Sequence, residues 1–266
     1  MMVMVVSGCG KTKTAEEYIE ASNLKSAELE SYEMKLEMNM SMSAGGEQMD
    51  MTMSGTASVF QNPMRLKMDL ATRVMEQDMQ LIQYMEQTEG AVTIYQNVMG
   101  QWQKMVLDDP ALVEMMSMNP ADSIEAYMNS LISAEILREE KVNEREAVVI
   151  EMVMSGEMYE EILGQMGAPN LGGVEMDESF FAALGDLKAT VWVDKKTDDM
   201  LKMSMDLSEN MANMVEYMIQ DGSLGEEELE ALKGMKMNMV YEMLNQNNAA
   251  EFEIPEEALN APELKL

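Results

Sequence analysis

The sequence predicts an α+β fold: a wide, curved antiparallel β-sheet, open as a half-barrel, with helices inserted across its concave face. Three observations carry that expectation. Segment after segment alternates apolar and polar residues with a period of two, the mark of strands buried on one face. Helices interrupt the strands in two places, and a one-sided sheet with inserted helices is an α+β arrangement. Roughly nine to eleven strands can be read, and a strongly twisted sheet of that width tends to curl.

The elements follow in order. A polar tether ends at Thr14, which reads as the N-cap of a helix to about Lys25, with Glu16 and Glu17 in the dipole-favoured first turn. The period then becomes two. Tyr32, Met34, Leu36, Met38, Met40 and Met42 share one face, against Glu33, Lys35, Glu37, Asn39, Ser41 and Ser43. After the turn Ala44-Gly45-Gly46-Glu47, Met49, Met51 and Met53 resume the pattern, which makes a β-hairpin. Met64, Leu66, Met68 and Leu70 alternate with Arg65, Lys67 and Asp69. Strands follow around Asp78–Glu86, Ala91–Asn97 and Gln101–Val106.

Asp109-Pro110 starts a helix to about Ser117 and Asn119-Pro120 another to about Ile132, each with Pro at its first position. Val148, Ile150, Met152 and Met154 mark the next strand. Glu157–Met166 and Asp177–Leu184 read as short helices around a Gly/Pro loop at Gly167–Gly173. Leu187, Ala189, Val191 and Val193 lead through a polar turn to Leu201, Met203, Met205 and Leu207. Ser208–Gln220 reads as a helix, Glu226–Glu230 as a solvated acidic face, and Met235–Met243 as the last strand. From Asn245 onward the tail reads as extended. No linker splits the chain, so residues 15–266 are expected to form one domain.

Composition excludes several functions. The chain of 266 residues carries 49 Asp+Glu against 18 Lys+Arg, a formal charge of −31, with no His and one Cys. Without His there is no imidazole base and no His-ligated metal; one Cys permits no internal disulfide. The acidic balance speaks against nucleic acid, whose phosphates need a cationic face. Leu, Ile, Val and Phe make up only about 21% of the chain, close to a disordered composition, until the 36 Met are added. Any core must therefore be built substantially of Met, a flexible and polarizable residue suited to accommodating varied apolar partners.

The amino terminus carries a further signal. The apolar run Met1–Val6 leads through Ser7-Gly8 to Cys9, the only Cys. Residues 1–8 are expected to be a signal segment whose front is missing, the true start lying upstream. Cys9 is the expected lipidation site, and 9–14 the tether. No other segment approaches the roughly 18 to 20 apolar residues that span a bilayer.

The lipobox-like Cys9, the early helix, the Met-rich hairpins, and Val191-Trp192-Val193-Asp194-Lys195-Lys196-Thr197 leading to Leu201-Lys202-Met203-Ser204-Met205 together resemble exported lipoproteins of the LolA/LppX-like superfamily. The likeness is nearest to its uncharacterised Met-rich Gram-positive lipoproteins and covers most of Cys9 to Leu207. It implies a LolA-like unclosed antiparallel barrel with helices across the mouth, in which several relatives carry lipid or lipoprotein acyl chains. It implies a monomer on the outer face of the cell membrane, held by lipid on Cys9. The cavity candidates are Met34, Leu36, Met38, Met40, Met51, Met53, Leu66 and Met68. No cofactor, no metal and no catalytic residue are expected, and no protein partner can be named.

Two alternatives stand beside this lipid-binding reading. One is a structural or protein-interaction lipoprotein whose Met core is filled by its own helices. The other is Cu(I) binding at Met38-Asn39-Met40-Ser41-Met42 and Met49-Asp50-Met51-Thr52-Met53, since thioethers select soft Cu(I). Core packing demands the same two-residue spacing, which ranks copper lower. Buried Met would scavenge oxidants poorly. Asp194, Asp198 and Asp199 lack calcium-loop spacing and fit turn chemistry. Trp102 and Trp192 fit packing. Carboxylate pairs such as Glu139-Glu140 and Glu160-Glu161 are expected by chance, and Ser22-Asn23-Leu24-Lys25 lacks any surrounding catalytic signature.

Overall fold

Thr14 closes the start of the first helix. Its hydroxyl accepts from the Glu17 backbone N–H at 3.2 Å, and its own N–H donates to Glu17 Oε2 at 2.8 Å. This capping box satisfies two donors that a helix start leaves orphaned. The structure is a computed structural model; it describes residues 13–44, 47–74, 77–88, 90–108, 124–156, 170–171, 174–175, 178–220, 222 and 234–264. Helix α1 (Ala15–Ala27) leads into six consecutive strands: β1 (Ser31–Ala44), β2 (Glu47–Gln61), β3 (Met64–Val74), β4 (Gln77–Thr88), β5 (Ala91–Val98) and β6 (Gln101–Leu107). Then come α2 (Ile124–Asn129), β7 (Leu131–Val142), β8 (Arg145–Met154), and the two-residue strands β9 (Asn170–Leu171) and β10 (Val174–Glu175). The chain continues with α3 (Glu178–Leu184), β11 (Leu187–Asp194), β12 (Met200–Asp206), α4 (Ser208–Gln220), β13 (Lys236–Leu244) and α5 (Glu256–Leu259).

Eleven strands form one open, curved antiparallel sheet in the order β6-β5-β4-β3-β2-β1-β13-β12-β11-β8-β7, while β9 and β10 pair by themselves. The meander β1–β6 and the later strands meet at the β1–β13 seam, where Met34 pairs with Met243 and Met40 with Met237. Gly55 sits inside β2 because the backbones there leave no room: a Cβ would lie 2.0 Å from the Asp69 carbonyl oxygen.

The two faces of the sheet are covered differently along its width. On the inner face, α1 packs Tyr18 and Ile19 against Val148, Ile150, Met152, Val191, Val193 and Met203 of β8, β11 and β12. On the outer face of these strands, Ala147, Val149, Trp192 and Leu201 form a second cluster with Val142. The tail runs over the outer face of the other half. Phe252 and Ala258 pack against Tyr84 and Tyr95, with Phe60, Trp102 and Ile254 around them. Arg65 fixes it by donating to the Phe252 carbonyl at 2.6 Å and lying over the Phe252 ring. The tail ends beside β6 through a parallel bridge between Lys104 and Glu263.

Two expectations are corrected. The helix expected from Asn119-Pro120 to Ile132 is described only over α2, and Leu131 already begins β7. That strand lies at the sheet edge and is exposed at most positions, so it lacks a one-sided apolar pattern. The tail is not simply extended: it contains α5 and is anchored on an aromatic cluster. The expected helices at 110–117 and 157–166, the acidic run 226–230, the signal segment 1–8 and Cys9 lie outside the described residues.

Candidate functional site

Strand periodicity puts every second residue of β1 on the inner face, and register aligns those residues with their neighbours. Met205 stands opposite Met239, Met239 opposite Met38, and Met38 opposite Met53. One pleat along, Met237, Met40 and Met51 form a second row, and Met42 faces Met49 beyond it. These methionines are half-buried. The inner faces of β8 and β11, beneath α1, are instead fully buried and combine Val148, Ile150, Val191 and Val193 with Met152 and Met154.

Between these halves, where α1 hands over to β1, lies a cleft of about 280 Å³. Leu29, Tyr32, Met34, Met200, Tyr241 and Met243 line it, with Ser26 and Gln61 adding polar groups. Every lining side chain is uncharged. A second, small space of about 10 Å³ lies under α1, lined in part by Ser22, Tyr127, Met152, Met200 and Met203. Met200 borders both. The Ser22 hydroxyl, on a residue only 2% exposed, has no hydrogen-bond partner among the described residues.

Two phenol hydroxyls in this region hydrogen-bond to sulfur. Tyr241 donates its hydroxyl to Met203 Sδ at 3.0 Å and approaches Met200 Sδ at 3.8 Å. Tyr127 donates to Met152 Sδ at 3.4 Å. Burial, with a smaller effect of Tyr32, pushes the Tyr241 hydroxyl up to about 12. Burial, aided by Tyr241, pushes Tyr127 up as well, and burial alone raises Tyr32. The phenols stay neutral at physiological pH. The chemistry on offer is desolvation of an apolar guest beside a few neutral hydroxyls.

The Trp192–Thr197 segment builds a turn. Asp194 Oδ1 accepts from the backbone N–H groups of Lys196 and Thr197 at 2.7 and 3.0 Å. Its Oδ2 accepts from Arg145 Nε at 2.7 Å, and Arg145 also reaches Asp199 Oδ2 at 2.5 Å. Trp192 Nε1 donates to Glu140 Oε1 at 2.5 Å. These contacts give the residues structural work.

The model of the DUF6612 family, described as a family of unknown function, matches residues 14–263. The chain belongs to the DUF6612 family. No curated protein matches it. Among solved structures, this DUF6612 chain is similar to the lipoprotein LppX from Mycobacterium tuberculosis, with 9% identity, 90% of this chain and 98% of that chain covered, and a TM-score of 0.48. It is also similar to LprF from Mycobacterium bovis, with 14% identity, 92% and 97% coverage, and a TM-score of 0.47.

In this DUF6612 protein the eight residues singled out from sequence all lie half-buried on the inner face. Met34 lines the cleft. Leu36 stands between Gly55 and Tyr241, Met38 between Met53 and Met239, and Met40 between Met51 and Met237. On β3, Leu66 faces Val59 and Met85, and Met68 faces Ala57 and Gln83. Only Met34 of the eight touches the cleft. Its other walls were missed as site residues, although Tyr32, Tyr241 and Met243 belong to alternating runs that place them on this face. Leu29 and Gln61 carry no such signal. Among the described residues, no helix is long and apolar enough to cross a membrane.

Proposed function

We propose that this protein is a non-catalytic, extracytoplasmic lipoprotein that holds a lipid or acyl chain against its methionine-lined inner face. Lipid on Cys9 anchors it to the outer face of the cell membrane, in a Gram-positive bacterium, and it works as a monomer. The observation that carries this reading is the uncharged cleft of about 280 Å³ opening beside rows of half-buried methionine. Its volume is at the small end of the roughly 300–1,000 Å³ usual for ligand sites, which suits the end of an aliphatic chain better than a bulky ring system. Each buried methylene contributes about 0.8 kcal/mol, so eight of them give roughly 6 kcal/mol before ordering costs are subtracted. Flexible Met side chains accommodate chains of different length and branching. LppX, a lipoprotein by name, is the kind of protein this reading resembles.

Native mass spectrometry of the full chain, purified gently from its own cells, tests the ligand. The expected result is a bound mass in the lipid range that organic extraction removes. A bare mass, unchanged after lipid is offered, overturns the carrier reading and leaves a lipoprotein that works through protein contacts. Cys9→Ser is expected to move the protein from the membrane fraction to the soluble one; unchanged partition refutes the anchor.

A further inference from the structure

We propose that the inner face of β12, β13, β1 and β2 is a thioether site for Cu(I), centred on Met38, Met40, Met51 and Met53 and flanked by Met237 and Met239. Period-two methionine is ambiguous in a sequence, because a packed strand core and a row of metal ligands require the same spacing. The structure separates the two demands. Where α1 seals the inner face, Val148, Ile150, Val191 and Val193 are 2%, 0%, 3% and 1% exposed, and Met152 and Met154 among them are 0% and 2% exposed. The methionines of β1, β2 and β13 lie instead where the face is only half-buried.

Register supplies the geometry. Met38 has Met53 on one side and Met239 on the other, and Met40 has Met51 and Met237. Directly opposed residues of antiparallel strands hold their Cβ atoms about 4.5–5.5 Å apart. With three rotatable bonds each, two or three neighbouring thioethers can close on a single ion without moving the backbone. Neutral sulfur donors select soft Cu(I) over hard divalent cations. The formal charge of −31 raises the local concentration of any cation. Among the described residues, no group of three or more Cys, Asp or Glu forms a competing site. Binding is simple coordination with no change in oxidation state.

The site shares its face with the proposed lipid ligand but rests on sulfur rather than on apolar volume, so Cu(I) uptake is read separately from any bound lipid mass. The full chain, under anaerobic conditions, is titrated with Cu(I) held by a colorimetric chelator, alongside the variant Met38→Leu/Met40→Leu/Met51→Leu/Met53→Leu. Leucine keeps volume and apolarity and removes the donors. The wild type is expected to withdraw Cu(I) from the chelator and to show an all-sulfur shell by X-ray absorption. The variant is expected to lose affinity by at least the about 10–100-fold that loss of an outer-shell partner costs. Failure of the wild type to compete, or undiminished uptake by the variant, overturns the proposal. Should the fourfold variant not fold, Met38→Leu/Met53→Leu is read by the same criteria.

Discussion

Met152→Ala is expected to cost far more stability than Met40→Ala, although both residues occupy inner-face positions of one sheet. Met152 is 0% exposed and lies in the cluster sealed by α1. Truncating a core Met to Ala costs about 2–5 kcal/mol. The upper half of that range applies here, because Tyr127 also loses the sulfur it donates to at 3.4 Å. Met40 is half-buried. Complete burial of a Met side chain is worth about 1.5–3 kcal/mol, and Met40 leaves part of that surface exposed, so a loss of about 1–2 kcal/mol is expected. In a protein of this size each kcal/mol moves Tm by about 2–4 °C, separating the two variants by several degrees. Urea unfolding followed by Trp fluorescence measures both, with Met152→Leu as the volume-preserving control expected to lose less than about 1.5 kcal/mol. Equal losses for Met40→Ala and Met152→Ala would show that the methionine rows are solid core. An accessible face, and both ligand proposals with it, would then fail.

Three more outcomes can be measured on the same protein. Thr14→Ala removes the α1 capping box and is expected to cost about 1 kcal/mol in urea unfolding, with Thr14→Ser restoring most of it. Burial pushes Asp194 up, but the Lys196 and Thr197 N–H groups and the Arg145 guanidinium outweigh it and hold the carboxyl below its usual value. Its stabilisation is therefore present above the unfolded pKa of about 3.9 and lost as pH falls through the lower folded value. Asp194→Asn should cost about 2 kcal/mol at neutral pH, the scale of hydrogen bonds to a charged group, and flatten the acid limb of a stability–pH curve. Tyr241 is raised to about 12, so it contributes stability below the unfolded value near 10 that is lost as pH rises. Tyr241→Phe should flatten part of the alkaline loss in pH-dependent unfolding; Tyr95, also raised to about 12, accounts for another part.

What could be read from sequence was local. β1, β2 and β3 emerged because one wet face and one dry face write a period of two into the chain, and α1 because Thr14 offers an N-cap and Glu16 and Glu17 an acidic first turn. β7 did not emerge: Leu131–Val142 is an edge strand exposed along most of its length, and its Leu, Ala, Glu, Arg and Lys content favours helix. The tail's destination was equally hidden, since Phe252 gains its meaning only from Tyr84 and Tyr95, more than a hundred residues earlier. The site shows the same limit. Alternation told which residues of β1 face inward, but whether a methionine would be buried like Met152 or half-buried like Met40 depends on where α1 docks. The pairing of Met38 with Met239 across the β1–β13 seam has no local signature.

The contrast between the two halves of one sheet bears on how it would bind. A Met side chain frozen in a core forfeits up to about 1.5–2 kcal/mol of rotamer entropy, a loss that branched residues with fewer rotamers avoid. Val148, Ile150, Val191 and Val193 under α1, beside the buried Met152 and Met154, give the sealed part of the sheet more rigidity than the half-buried face, where methionine alone recurs at Met38, Met40, Met51 and Met53. A guest on the methionine rows must immobilise several of these side chains, at about 0.5–1.5 kcal/mol each, and this offsets much of the gain from burying methylenes. The balance favours moderate affinity, tolerance of different chains and quick release. Those properties suit a protein that accepts and hands on its cargo, and a face evolved for tight storage would have been built from the branched residues found a few strands away.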